Sequence, residues 1–136
     1  MAQDSFWTTD KGSIDISCVS DEDMANSFVL VKIATDGDIG ISDNATDNGI
    51  GVLQEKDTDG SEAGEIIRVR IQGVSYVRTS ATMNAGVPVT AATNGWAVAA
   101  ADGEVVYGKT LVNVTGVDSV VPCIINPGCY QVEDVV

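Results

Sequence analysis

The stretch Glu55-Lys56-Asp57-Thr58-Asp59-Gly60-Ser61 places carboxylates at the first, third and fifth positions and glycine at the sixth, the opening of a calcium-binding loop. The twelfth position, where such a loop needs a bidentate Glu, is Ile66, and the flanks read as strands rather than helices. A solvated hairpin turn therefore outweighs a calcium site. Asp21-Glu22-Asp23 and Asp36-Gly37-Asp38 are weaker still, because loop carboxylates are ordinarily just hydrated. No metal ligand set and no cofactor is expected.

With twenty Asp plus Glu, seven Lys plus Arg and no His, the chain lacks the commonest general base and the commonest metal ligand. A paired-carboxylate glycosidase is the one acid–base chemistry this leaves open, and the seven scattered aromatics do not build a visible sugar platform. No nucleophile elbow, phosphate loop or dinucleotide fingerprint is present. Gly49-Ile50-Gly51 reads as a bulge or a close backbone approach within a strand rather than a phosphate site. We expect no catalytic residues and no enzyme activity. The net charge of −13 also opposes contact with nucleic acid or an anionic membrane, leaving proteins as partners.

The informative charges are positive. Arg68, Arg70 and Arg78 are three of the seven bases and fall within eleven residues, two of them on one face of one strand. They form either a docking or subunit-interface patch or a row of cross-strand pairs with the chain's own acids. Trp96, after an Asn-Gly turn, is either a core plug or an interface anchor. Phe6 and Trp7 are candidate anchors of an N-terminal arm. Cys18, Cys123 and Cys129 show no C-x-x-C spacing and read as reduced, mostly buried thiols. The start lacks a basic n-region and an apolar core, so a chain made and kept without secretion is expected.

The elements that must hold these residues are strands. Twenty Val, eleven Ile and eleven Thr against three Leu favour a pleated, half-buried surface, and the expected fold is all-β. Phe28–Ile33 is nearly continuous in apolar residues and reads as buried on both faces. Ile67, Val69 and Ile71 alternate with Arg68, Arg70 and Gln72, which gives a strand with one wet face. Further strands are expected at Gly49–Gln54, Val74–Arg78, Val87–Ala91, Trp96–Ala100, Val105–Tyr107, Thr110–Val114 and Val120–Ile125. Asn94-Gly95 and Asp102-Gly103 suggest a three-stranded meander from Val87 to Tyr107, and Pro88 belongs at an edge or a strand start. Residues 1–65 carry a net charge of −12, from fifteen acids and three bases. Together these readings give an extended arm over 1–26, followed by a single β domain over 27–136, a small barrel or sandwich of about eight short strands.

The series Gly51-Val52-Leu53-Gln54, Arg68-Val69-Arg70-Ile71-Gln72-Gly73-Val74, Ala85-Gly86-Val87-Pro88-Val89, Asn94-Gly95-Trp96-Ala97, Tyr107-Gly108-Lys109-Thr110-Leu111 and Ser119-Val120-Val121-Pro122-Cys123-Ile124 resembles the small β-barrel head decoration proteins of tailed bacteriophages. These are capsid cement proteins of the kind found on lambda-like heads, and the resemblance covers roughly residues 50–125. It implies a homotrimer that binds the outer surface of the expanded capsid and bridges major capsid protein subunits. The location would be the virion, with the host cytoplasm during assembly. The front half is longer and more acidic than that pattern, and the tail from Asn126 extends past it. The alternative is a virion fibre or carbohydrate-binding β-module.

Overall fold

The computed structural model describes residues 12–54 and 61–130, with side chains up to Pro127. Nine strands occur among the described residues: β1 (Ile14–Val19), β2 (Leu30–Ile33), β3 (Ile39–Ile41), β4 (Gly49–Leu53), β5 (Ile66–Thr79), β6 (Pro88–Ala91), β7 (Ala97–Ala99), β8 (Val105–Thr110) and β9 (Ser119–Tyr130). The all-β expectation holds. Of the expected arm, residues 1–11, including Phe6 and Trp7, lie outside the described residues. Ile14–Val19 form β1, and Met24 is buried.

The strand order β3-β2-β4-β5-β7-β6-β8-β9 closes through pairing of β9 with β5, and β1 lies on the remaining side of β5. The long β5 thereby belongs to two assemblies. Its first half is flanked by β1 and β4, and its second half, from Gly73, pairs with β9 in the closed barrel. Sequence punctuation suggests two strands here. One strand of fourteen residues forms instead, because Gly73, at φ 109°, turns the backbone without ending the ladder. A Cβ at Gly73 would also meet the backbone and side chain of Ser13, so the bend sits close to the start of β1.

The apolar run at β2 is buried on both faces, as its composition suggests. Leu30 faces the barrel core with Val52, Val77, Val89, Tyr107, Cys123 and Ile125, whereas Val29 and Val31 face a second core with Met24, Ile39, Leu53, Ile67 and Val69. β4 divides in the same way, Val52 to one side and Leu53 to the other. Successive strand residues point to opposite faces, so β2 and β4 form a wall shared by the two cores.

Three expectations are corrected. Thr110–Val114 is not a strand: the chain leaves β8 at Thr110, and Val114 makes only an isolated bridge to Met83. The meander is replaced by a different order, in which β7 and β8 lie on opposite sides of β6. Barrel closure requires this, since β7 also meets β5 through Thr79 and Ala97, which leaves the other edge of β6 for β8. Strand β3 was missed because its two isoleucines flank a glycine inside an Asp/Gly-rich stretch. Pro88 opens β6, where its missing N–H costs little.

The strand glycines follow from close approach. A Cβ at Gly49 would overlap the Tyr107 ring at 2.0 Å, and one at Gly51 would lie 2.1 Å from the Arg70 carbonyl oxygen. Gly51 thus meets backbone and Gly49 an aromatic ring, and the β2–β4 register shifts between them, so both the close approach and the bulge expected of Gly49-Ile50-Gly51 are found. Among the described residues no helix is long and apolar enough to cross a membrane.

Candidate interaction surface

Arg70 projects from β5 toward β1 and is only 4 % exposed. Its Nε donates to Asp15 Oδ1 at 2.7 Å, its Nη2 to Asp15 Oδ2 at 3.1 Å, and its Nη1 to the Val74 carbonyl at 2.8 Å. One guanidinium therefore ties β1 to both halves of β5 across the Gly73 bend. Such fork-on-carboxylate geometry is the strong form of an ion pair. The hydrogen bonds from Arg70 hold the Asp15 carboxyl below its usual range against the opposing effect of burial, with the charges of Arg70 and Arg68 adding to them.

Arg68 stands two residues earlier on the same face. Its Nε lies 3.3 Å from Asp15 Oδ2 and its side chain is 59 % exposed. The cross-strand partners on this face are Asp15 with Arg70, Ser17 with Arg68 and Val19 with Ile66. Arg78, in the barrel half of β5, pairs with Asp118 at 2.9 Å, and its guanidinium carbon lies 5.6 Å from the Trp96 ring centroid. Trp96 packs against the second core, and the turn that carries it is wedged against Leu30 and Val29 through Gly95. Arg78 Nε and Trp96 Nε1 are buried donors without a partner among the described residues.

The structure thus separates the expected patch. Arg70 is internal and presents no guanidinium surface to a partner, Arg78 is committed to Asp118 and Trp96, and Arg68 alone of the three is mainly exposed. Pairing with the chain's own acids reaches all three: Arg68 and Arg70 meet Asp15 across the β1–β5 ladder, and Arg78 meets Asp118.

The two acidic loops converge, which their separation in sequence gave no means of seeing. The Ser20–Ile39 bridge brings Asp21 beside Asp36 and Asp38, whose carboxylate oxygens lie within 4.8 Å of one another. The Asp36 charge raises the proton affinity of Asp21. An open cleft of about 620 Å³ adjoins them, lined by Asp21, Glu22, Lys32, Asp36 and Asp47 among others. Lys32 crosses it to Asp47 at 3.1 Å, and that hydrogen bond stabilises its charged form. Of the calcium-like loop, Glu55–Gly60 lie outside the described residues. Ser61 is buried and bridges Met24.

Cys123 is buried in the barrel, its thiol pushed up to about 12 by desolvation, and Cys18 is half-buried with its thiol raised by the same cause. Desolvation disfavours the thiolate, the reactive form, at both positions. The side chain of Cys129 lies outside the described part.

No known protein family and no curated protein matches the chain. Among solved structures, the fold is similar to the head fiber gp8.5 N base of bacteriophage phi29, with a TM-score of 0.59 and 16 % identity, over 90 % of this chain and 99 % of that one. At that identity the likeness is one of fold.

Proposed function

We propose that this chain is a structural phage virion protein without catalytic activity, bound to the outer surface of the expanded capsid. There it stabilises the shell by bridging major capsid protein subunits, as a homotrimer and without a cofactor. The observation that carries this reading is the similarity of fold to a phage head fiber base over nearly the whole of both chains. The resemblance of its β motifs, in order, to those of head decoration proteins supports it from the sequence side. So does the acidic surface, which suits a protein coating one particle in many copies without aggregation. Multivalent attachment then supplies strength beyond any single contact.

The structural neighbour also favours a second reading, the base of a head fibre. Quantitative mass spectrometry of purified particles separates the two. A copy number near that of the major capsid protein, with shells lacking this chain bursting at lower temperature, is the expected result. A handful of copies per particle selects the fibre base, and absence from particles overturns both. Specific binding on a glycan array would instead point to a carbohydrate-binding module.

A further inference from the structure

We propose that copies of this chain associate through the outer face of the barrel where β5 pairs with β9, with Lys109 of one copy meeting Asp118 of the next. This rests on the homotrimer reading above and names the contact that builds it.

Strand alternation defines the face. Val77, Val121, Cys123 and Ile125 point into the barrel core, so Val74, Tyr76 and Arg78 of β5 and their partners Ile124, Pro122 and Val120 of β9 take the outside. All but Arg78 are apolar. Val120 and Ile124 are 41 % and 48 % exposed, Val74 and Tyr76 are half-buried, and Pro122 is buried. Adjoining apolar side chains on the water side of a closed barrel mark a contact surface. Its two ends present opposite charges. Asp118 stands at the Val120 end, its side chain 56 % exposed and bonded to an Arg78 that is only 22 % exposed, so the carboxylate is the member of that pair facing solvent. At the other end Lys109 is exposed and pairs with Ile124 across the β8–β9 ladder. Val120 and Ile124 lie ~14 Å apart at the strand rise of ~3.4 Å per residue.

Charge selects a second copy as the occupant. Copies that each carry −13 repel unless they meet where their charge is lowest, and residues 66–136 hold five acids and four bases against fifteen and three in residues 1–65. Of those five acids, Asp118 is on the face, Asp102 and Glu104 precede β8 at the end away from Lys109, and Glu133 and Asp134 lie outside the described residues. Asp15, which reaches the Gly73 bend from β1, is held by Arg70. Head to tail around a threefold ring, the Lys109 end of each face meets the Asp118 end of the next, and the apolar rows close on one another between them. The exposed apolar pair of the β1–β5 ladder, Val19 with Ile66, lacks this property. It has Arg68 on one side but Asp21, Glu22, Glu62 and Glu65 along the chain on the other, and a second copy there sets acids against acids.

The test uses the full chain, with its mass read by sedimentation over a range of concentrations and its binding to expanded shells that lack it counted separately after pelleting. Wild type is expected to sediment as a trimer. Val120→Asp and Ile124→Asp are each expected to weaken association by about tenfold or more, whereas Ile66→Asp, on the other apolar pair, associates as wild type does. Lys109→Glu is expected to weaken association as well, and Lys109→Glu/Asp118→Lys to recover part of that loss, because the charges of the two ends are then exchanged. Asp118→Asn, a residue suited to the positive φ of 53°, is also expected to weaken association and serves if Lys unsettles that position. Thermal melts establish that each variant is folded. Folded Val120→Asp and Ile124→Asp that associate as tightly as wild type overturn this surface while leaving the trimer intact. If they associate normally but lose shell binding, the face belongs to the major capsid protein instead. Wild type that stays a monomer at every concentration overturns the homotrimer and this contact together, while its shell binding decides the capsid reading on its own.

Discussion

At the residue scale the decisive contact is Arg70 with Asp15. Removing Arg70 leaves the partly buried Asp15 with Arg68 alone, so Arg70→Met is expected to cost about 1–3 kcal/mol in urea denaturation. Asp15→Asn/Arg70→Met should recover part of that loss, since both charges then go together. The pH dependence has a fixed sign. Because the native carboxyl is held below its unfolded value of 3.8, its stabilisation is present above that pH and is lost as pH falls through the native value. Acid denaturation should therefore have a shallower limb below about pH 3.8 in Asp15→Asn than in wild type; equal limbs would show that Asp15 is not held by Arg70. The arginine cluster itself was legible in sequence. Its partners were not: Asp15 lies fifty-five residues from Arg70 and Asp118 forty from Arg78, and alternation along a strand says which face a side chain takes but nothing of the strand beside it.

At the scale of elements, β1 is a structural strand although its neighbours in sequence are polar. It covers the flank of β5 at Ile67 and Val69 and supplies Asp15 to the bend. Two truncations separate its role from that of the residues before it. Deleting residues 1–12 is expected to leave the melting temperature within a few degrees of wild type and to weaken shell binding, whereas deleting residues 1–19 should abolish the cooperative melt. Tight decoration by the shorter truncation would refute an adhesive arm, and a folded longer truncation would refute β1 as a staple. The strands that read clearly from sequence were those with strong β-branched alternation or full burial, such as β2, β4 and β6. Those misread were governed by tertiary demands. Gly73 looked like punctuation and is a bend inside β5, Thr110–Val114 has strand composition but gains no ladder, and β3 exists because β2 and Asp21 bond to it.

At the scale of the whole molecule, two cores share one wall. Alternate residues of β2 and β4 serve opposite cores, and β5 runs through both, so neither half keeps a complete boundary if the other opens. The turn carrying Trp96 strengthens the union, because it comes from the barrel hairpin between β6 and β7 and its indole packs on the second core. A chain of this size with contiguous buried surfaces should unfold in one step. Leu30→Ala, which opens a cavity on the barrel side, is expected to cost about 2–5 kcal/mol, and Val31→Ala on the other side should shift the same single transition. Far-UV circular dichroism and Trp96 fluorescence, followed in a Trp7→Phe background, should trace coincident curves for wild type and both variants. If Leu30→Ala moved one curve and Val31→Ala the other, the wall would be a boundary between two independent units. A rigid joint there matters for a protein proposed to bridge capsid subunits, because load passes between the two cores through the shared wall, the continuous β5 and the Trp96 turn.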